Sequence, residues 1–457
     1  MPVFSLSGWL EVGGAWVNDE NAVLAADLYE LTMLQAYFDL GMNGAAVFDL
    51  FVRRLPSTRN YLVTCGLDDV LHYLETLHFS SDALGYLKSL GRFSDAFLDN
   101  LHSFRFTGDA YAVPEGTVVF ANEPVIEVVA PLPQAQLIET FLMNMIHCQT
   151  LAASKASRVM TAAAGRTVVD FGLRRMQGLD TGLKFARGFY IAGVDATSNT
   201  LAGQTYGIPV AGTMAHSFIQ AHGTEMDAFR GFLKSYPDTI LLVDTYDTLK
   251  GVHHVVELAR EFGNDFRVRG IRLDSGDLSV LSRKARQILD AAGLQKIEIF
   301  ASNSLDEYAI RDLVAAGSPI DGFGVGSKMA VSADAPYLDT VYKLVEYNGE
   351  PRMKFSENKL TMPGRKQVFR QDDHDVIGLN DEALSGEPLL VKVMEGGQRT
   401  AAGKGSLQSA RERTRANLQK LPANLLQLDP AHTPYPVEIS ASLHALIEHE
   451  RLRMQAQ

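Results

Sequence analysis

The chain is short of cysteine and tryptophan, with two of each in 457 residues. Cys65 and Cys148 can build neither a disulfide framework nor a cysteine-rich zinc site. So few thiols fit a reducing compartment, and a cytoplasmic protein is expected. Positive charge is missing at the start: no Lys or Arg precedes Arg53. A secretory signal and a mitochondrial presequence both need such charge, so no targeting segment is expected. Long apolar runs are also lacking. The most apolar helical stretch, residues 137–146, is interrupted by Glu139 and Asn144 and reads as a core helix, not a membrane span. A formal net charge of −12 excludes a nucleic-acid partner held by bulk electrostatics. It leaves room for a local basic pocket. There is no low-complexity segment.

What is present is the balance of a soluble globular protein, with 46% hydrophobic and 21% charged residues. The length calls for more than one core. In the middle of the chain, short apolar runs alternate with helix-period stretches. The runs are 167–171, 208–211, 240–243, 268–273, 298–301 and 322–325, spaced as βα units. Helices are expected over 246–262, 278–292 and 305–316, each closed by a glycine (Gly263, Gly293, Gly317) at the C-cap position. Such alternation predicts an α/β fold with a parallel sheet buried on both faces. An irregular or incomplete (β/α) barrel is expected; a doubly wound open sheet is the alternative. The flanks read differently. Short β-like runs at 104–106, 111–113, 117–120 and 125–129 are matched by runs at 339–347 and 352–355, the latter pair joined by the turn signal Asn348-Gly349. They predict a second, mostly β domain built from N- and C-terminal segments. The expected division is 1–150, 151–335 and 336–457, with a charged helix over 406–421 and a loop over 430–436.

Ligands of parallel α/β proteins bind at the C-terminal ends of the strands. Here those ends carry Arg174-Arg175, His216, Asp244 with Asp247, Arg272 with Asp274 and Asp277, Ser302-Asn303-Ser304, and Gly324 to Lys328. Arginines can hold phosphates or a carboxylate bidentately. Carboxylates can accept from ribose hydroxyls or hold Mg²⁺ through water. The Gly324-Val325-Gly326-Ser327 backbone can cradle a phosphate. His216, opening a helix after Gly212-Thr213, can be a nucleophile, an acid or base, or a phosphate contact. Each element also has a plainer reading. Asp244 can simply cap a helix, Arg174-Arg175 can be a solvated pair, and His253-His254 reads as structural. No strand-end lysine or paired carboxylate base points to an aldolase or isomerase. The conjunction of these ends favours a phosphosugar site.

These residues also carry a family likeness. Asp170-Phe171-Gly172-Leu173-Arg174-Arg175-Met176-Gln177-Gly178, Ser198-Asn199-Thr200-Leu201-Ala202-Gly203 and Gly212-Thr213-Met214-Ala215-His216-Ser217 resemble the nicotinate phosphoribosyltransferases. Ile271-Arg272-Leu273-Asp274-Ser275-Gly276-Asp277-Leu278 and Gly322-Phe323-Gly324-Val325-Gly326 continue the likeness. So do Ala26-Asp27-Leu28-Tyr29-Glu30-Leu31-Thr32-Met33 near the start, and Ala410-Arg411-Glu412-Arg413 and Pro434-Tyr435-Pro436-Val437 near the end. The resemblance implies a type II phosphoribosyltransferase fold, usually a homodimer with shared sites. It implies an ATP-dependent enzyme, classed as a ligase, acting in NAD biosynthesis. Nicotinate and phosphoribosyl pyrophosphate would give nicotinate mononucleotide and pyrophosphate, with ATP as co-substrate and Mg²⁺ assisting.

By the same resemblance His216 is the phosphorylated histidine. Tyr29, from the partner subunit, and Phe171 sandwich the pyridine ring. Arg272 lies near the nicotinate carboxylate, and Asp274 accepts from the ribose hydroxyls. Arg53, Arg54 and Arg174 are candidates for pyrophosphate, and Ser302, Asn303, Gly324 and Gly326 for the 5′-phosphate. Ser198, Asn199 and Thr213 line the substrate site. Ser57-Thr58-Arg59 departs from the small or glycine-rich residues expected in the basic loop, which makes Arg59 an extra pyrophosphate candidate. The nearest rival is a nicotinamide phosphoribosyltransferase, whose selectivity is associated with an acidic residue near 197–200. That stretch here is Thr197-Ser198-Asn199-Thr200, with only Asp195 close by. A non-catalytic phosphosugar-binding protein on the same fold is the rival of a different class.

Overall fold

The computed structural model describes residues 16–354 and 361–456. At its centre six parallel strands form one curled sheet: Thr167–Asp170, Ala196–Thr197, Ile240–Leu242, Gly270–Leu273, Glu298–Ala301 and Gly322–Val325. Their spatial order places Thr167–Asp170 between Ala196–Thr197 and Gly322–Val325, with Glu298–Ala301, Gly270–Leu273 and Ile240–Leu242 following on that side. This is the incomplete barrel expected from the βα period. It stays unclosed between Val210, which bridges to Thr197, and the Ile240–Leu242 edge.

The expected strand at 208–211 is therefore reduced to one bridge, with Thr197 N donating to Pro209 O and Ala211 N to Thr197 O. Pro209 has no N–H for a ladder, and Val210 remains 52% exposed. The segment 211–239, which carries His216, spans the open side of the barrel. The three expected helices form as Thr248–Phe262, Leu278–Ala291 and Glu307–Ala315. Gly263, Gly293 and Gly317 each take positive φ just beyond them, where a side chain would be strained.

The second domain is a seven-stranded antiparallel sheet drawn from both flanks of the barrel. Ala45–Val52, Asp109–Ala112 and Pro124–Pro131 come from before it; Thr340–Tyr347, Glu350–Pro351, Val391–Glu395 and Gln398–Arg399 come from after it. Asn348 and Gly349 turn the hairpin with φ of 52° and 77°, the left-handed pair that a two-residue hairpin loop needs. Residues 104–106 and 352–354 form no strand; the hairpin's second arm is Glu350–Pro351, just before the expected run, and residue 355 lies outside the described residues.

The strand Ala45–Val52, third of the seven, lies outside the expected runs, and Asp49 interrupts its apolar residues. In the structure Asp49 is paired in the core with Lys366 Nζ at 2.8 Å, both side chains 2% exposed or less. Lys366 starts the strand Lys366–Arg370 of a separate four-stranded sheet, so this pair joins two sheets. Removing one partner of a buried pair leaves an uncompensated charge. Lys366→Met is predicted to lower unfolding free energy by about 3–5 kcal/mol, measured by urea denaturation. A loss below about 1 kcal/mol would contradict a structural role for the pair.

Candidate active site

The C-terminal strand ends converge on one edge of the half-barrel. Phe171 follows Thr167–Asp170, and its N–H donates to Val325 O at 2.8 Å. Its ring lies so close to the neighbouring strand that a Cβ at Gly324 would stand 2.4 Å from Cε2. Only glycine leaves room for the ring there. The Arg272 guanidinium carbon sits 5.9 Å from the Phe171 ring centroid. Arg272 donates through Nη2 to Met214 O at 2.8 Å, while its Nε is buried with no protein partner. Burial pulls this guanidinium below its ordinary value, with Asp274 and Asp244 acting in the opposite sense. A desolvated cation with a free donor beside an aromatic face is built for an anion.

Carboxylates fix the neighbouring ends. Asp244 Oδ2 accepts from the backbone N of Asp274 at 2.8 Å and from Ser275 Oγ at 2.5 Å, tying two strand ends together. Its Oδ1 is buried without a partner. Asp274 in turn accepts from Ser302 Oγ at 2.6 Å. The other oxygen of Asp274 lies 3.5 Å from His216 Nε2, with both side chains about a third exposed (34% and 39%). His216 Nδ1 meets Thr245 Oγ1 at 3.1 Å. The structure thus brings His216, Asp274, Arg272 and Ser302 together. Thr245 and Asp244 complete the group; of these, only Asp244 carried a signal in the sequence, and it was shared with a helix-cap reading.

Asp170 anchors the loop that presents Phe171. It accepts from Gly172 N at 2.7 Å and Thr197 Oγ1 at 2.8 Å. Asn199 is turned inward: its side chain caps the helix Thr200–Tyr206 and donates to Gly182 O. Ser198 N donates to Asp170 O. Thr213 lies on the loop before His216, its hydroxyl 3.4 Å from Met214 O. Asn303 is half-buried beside Ser302, and Gly326 closes against the Phe171 carbonyl. Arg174 is exposed and lies within electrostatic reach of Arg272.

Arg53 and Arg54 both face Asp339, at 3.8 and 3.4 Å, Arg54 with its side chain 82% exposed. Arg59, an extra pyrophosphate candidate, is buried against Asp334 at 2.5 Å. Its charge is committed to that carboxylate, so the structure gives it an internal role. Asp195 is committed too, to Val168 N at 2.9 Å and Arg411 at 3.5 Å. Tyr29 is 45% exposed on the helix Leu28–Asp39. Among the described residues no three His, Cys, Asp or Glu side chains gather as a metal site, and no helix is long and apolar enough to cross a membrane.

An aromatic platform, an anion-seeking arginine and carboxylates at parallel strand ends define an enzyme of the α/β phosphosugar class. Three family models cover the chain: the nicotinate phosphoribosyltransferase N-terminal domain over residues 24–147, the family's main model over 167–377, and its C-terminal domain over 365–447. A nicotinate phosphoribosyltransferase of Mycobacterium tuberculosis is 53% identical over 429 residues, 93% of each chain. One of Bacillus subtilis is 42% identical over 388 residues, 82% of this chain and 79% of its own. The crystal structure of human nicotinic acid phosphoribosyltransferase superposes with a TM-score of 0.83 at 28% identity, covering 93% of this chain and 99% of that one. The chain belongs to the nicotinate phosphoribosyltransferase family.

Burial pushes the Asp170 carboxyl from 3.8 up to about 6. A raised carboxyl pKa stabilises the fold only while the group is protonated, so its contribution is complete below the ordinary value and is lost as pH rises through 6. Asp170→Asn is neutral throughout. The unfolding free energy of the native protein relative to this variant is predicted to fall by about 2 kcal/mol between pH 4 and pH 7. Urea titrations at both pH values measure it, and a pH-independent difference would contradict the assignment.

Proposed function

We propose that this chain joins nicotinate to phosphoribosyl pyrophosphate, giving nicotinate mononucleotide and pyrophosphate in cytoplasmic NAD biosynthesis, with ATP hydrolysis coupled through phosphorylation of His216. The observation that carries the reading is Arg272, desolvated and with a free Nε beside the Phe171 ring. A ring that bears a carboxylate satisfies both groups at once. The pyridine stacks on Phe171 and its carboxylate takes the Arg272 donors, which aims the ring nitrogen at the anomeric carbon. Asp274 accepts from the ribose hydroxyls, Ser302, Asn303 and the Gly324–Gly326 backbone receive the 5′-phosphate, and Arg53, Arg54 and Arg174 receive the departing pyrophosphate.

The C–O bond to pyrophosphate breaks as the N–C bond forms, through an oxocarbenium-like state. The protein's work is alignment and charge stabilisation, with no general base required. Mg²⁺ fits the donor set: the unpartnered Asp244 Oδ1 and the Asp274 carboxylate are hard oxygens that would hold it with substrate phosphates. When bound it offsets phosphate charge. His216, oriented by Thr245, offers a neutral imidazole lone pair to the ATP γ-phosphate; an N–P bond forms as the bond to ADP breaks.

Tyr29, exposed together with Leu28 and Phe38 on one helix, supports a homodimer in which the tyrosine covers the partner's pyridine site. The nicotinamide reading is weaker because Asp195, the acid beside 197–200, already serves Val168 N and Arg411.

Steady-state kinetics with the two bases test the proposal. We expect kcat/KM for nicotinate to exceed that for nicotinamide by at least ~100-fold, the scale of a lost charged hydrogen-bond pair. With γ-labelled ATP, acid-labile label should map to His216 and vanish in His216→Ala. A preference for nicotinamide, or label that persists in that variant, would sink the reading.

A further inference from the structure

Away from the strand-end site four buried charged side chains, Arg59, Lys155, Arg158 and Glu307, gather with the half-buried Asp334. Lys155 Nζ holds Glu307 Oε2 at 2.5 Å and Asp334 Oδ1 at 2.7 Å, with the lysine side chain 1% exposed and the glutamate fully buried. Arg158 Nε holds the other Glu307 oxygen at 3.0 Å. Asp334 Oδ2 takes Arg59 Nη1 at 2.5 Å and Thr58 Oγ1 at 2.8 Å. Burial alone would raise the Asp334 carboxyl, but Arg59 and Lys155 hold it well below the usual carboxylate range. Buried ions cost desolvation energy that apolar residues would not, so their location asks for a reason beyond stability.

The reason lies in what the cluster joins. Glu307 opens the helix Glu307–Ala315, directly after the Ser302–Ser304 turn. Its neighbour Asp306 caps that helix and holds Lys328 Nζ at 2.7 Å, two residues past Gly326. From Gly326 the chain winds through consecutive backbone hydrogen bonds to Ala335, with Asp334 near the end of the winding. Thr58 and Arg59 end the loop that begins with Arg53 and Arg54, and Arg59 N closes a turn on Pro56 O at 2.8 Å. Lys155 and Arg158 belong to the long helix Glu139–Ala163, a rigid post behind all three segments. Three cations face two carboxylates, which leaves a surplus positive charge behind the phosphate-binding turns.

We infer that Asp334 and Thr58 are positioning residues that clamp the arginine loop of Arg53 and Arg54 to the phosphate turns at Ser302–Ser304 and Gly324–Gly326, so that both phosphate ends of phosphoribosyl pyrophosphate are held at a fixed separation. This rests on the transferase reading above. The clamp touches no reacting atom. It acts on the binding of the one substrate that spans both segments, and nicotinate, held by Phe171 and Arg272, lies outside its reach.

The test is a split of kinetic constants in the full-length enzyme with saturating ATP. Asp334→Asn keeps the shape of the side chain and removes the charge; Thr58→Val removes the hydroxyl that donates to Asp334 and accepts from Arg59 at 3.0 Å, leaves every ion pair in place and carries little folding risk. We expect KM for phosphoribosyl pyrophosphate to rise ~10-fold or more in Asp334→Asn and ~3-fold in Thr58→Val. KM for nicotinate should stay within ~2-fold in both. Asp334→Glu, which restores the charge, should recover part of the loss. If the wild type forms nicotinate mononucleotide but Thr58→Val leaves the phosphoribosyl pyrophosphate KM unchanged, or both KM values rise together in Asp334→Asn, the clamp is refuted. If the wild type forms no product, it is the transferase reading that fails.

Discussion

The Asp244 carboxylate, bound to the backbone of Asp274 and the hydroxyl of Ser275, is the contact on which the site depends. Neighbouring parallel strands fix each other's height through the ladder, but nothing in the ladder fixes the loops beyond it. Asp244 extends the register of Ile240–Leu242 and Gly270–Leu273 past their ends. Asp274 is then held where it can accept from Ser302 on the third strand and face His216 across the open side of the barrel. Four chain segments are linked through two carboxylates, and the other oxygen of Asp244 is buried without a protein partner.

The open side of the half-barrel has a physical counterpart in what His216 is proposed to do. A closed barrel would lock the segment 211–239 into a ladder. Pro209 limits pairing to one bridge, so the histidine is held by side chains: the Thr245 hydroxyl and the Asp274 carboxylate. Such a residue can receive a bulky charged group without breaking a sheet. The rest of the molecule is stiffer. The seven-stranded sheet, the Asp49–Lys366 pair and the buried ions around Asp334 hold the surroundings of the site in place.

Much of this was legible in the sequence, for identifiable reasons. The strands of the parallel sheet are short apolar runs bounded by glycine or charge, and the helices end on glycines that take positive φ. Local pattern was sufficient for the helices and for five of the six strands; Ala196–Thr197, two residues long, was not among the expected runs. The strand-end rule then gathered His216, Arg272, Asp274 and Ser302 without knowledge of the fold's detail. What escaped depends on partners distant in sequence. The Ala45–Val52 strand was hidden by Asp49, whose partner Lys366 lies in another sheet. Asn199 looked like a substrate contact and is a helix cap. Arg59 looked like a pyrophosphate ligand because arginine in a basic loop suits one, but Asp334, far along the chain, takes its charge. The run at 208–211 had the composition of a strand, and its proline decided otherwise.

The most direct measurement is a crystal structure of the protein with nicotinate mononucleotide bound. The account predicts the pyridine ring stacked on Phe171, its carboxylate on the free donors of Arg272, the ribose hydroxyls on Asp274 and the 5′-phosphate against Ser302 and the Gly324–Gly326 backbone. Product bound away from the strand ends, or in that cleft with its carboxylate turned away from Arg272, would contradict it.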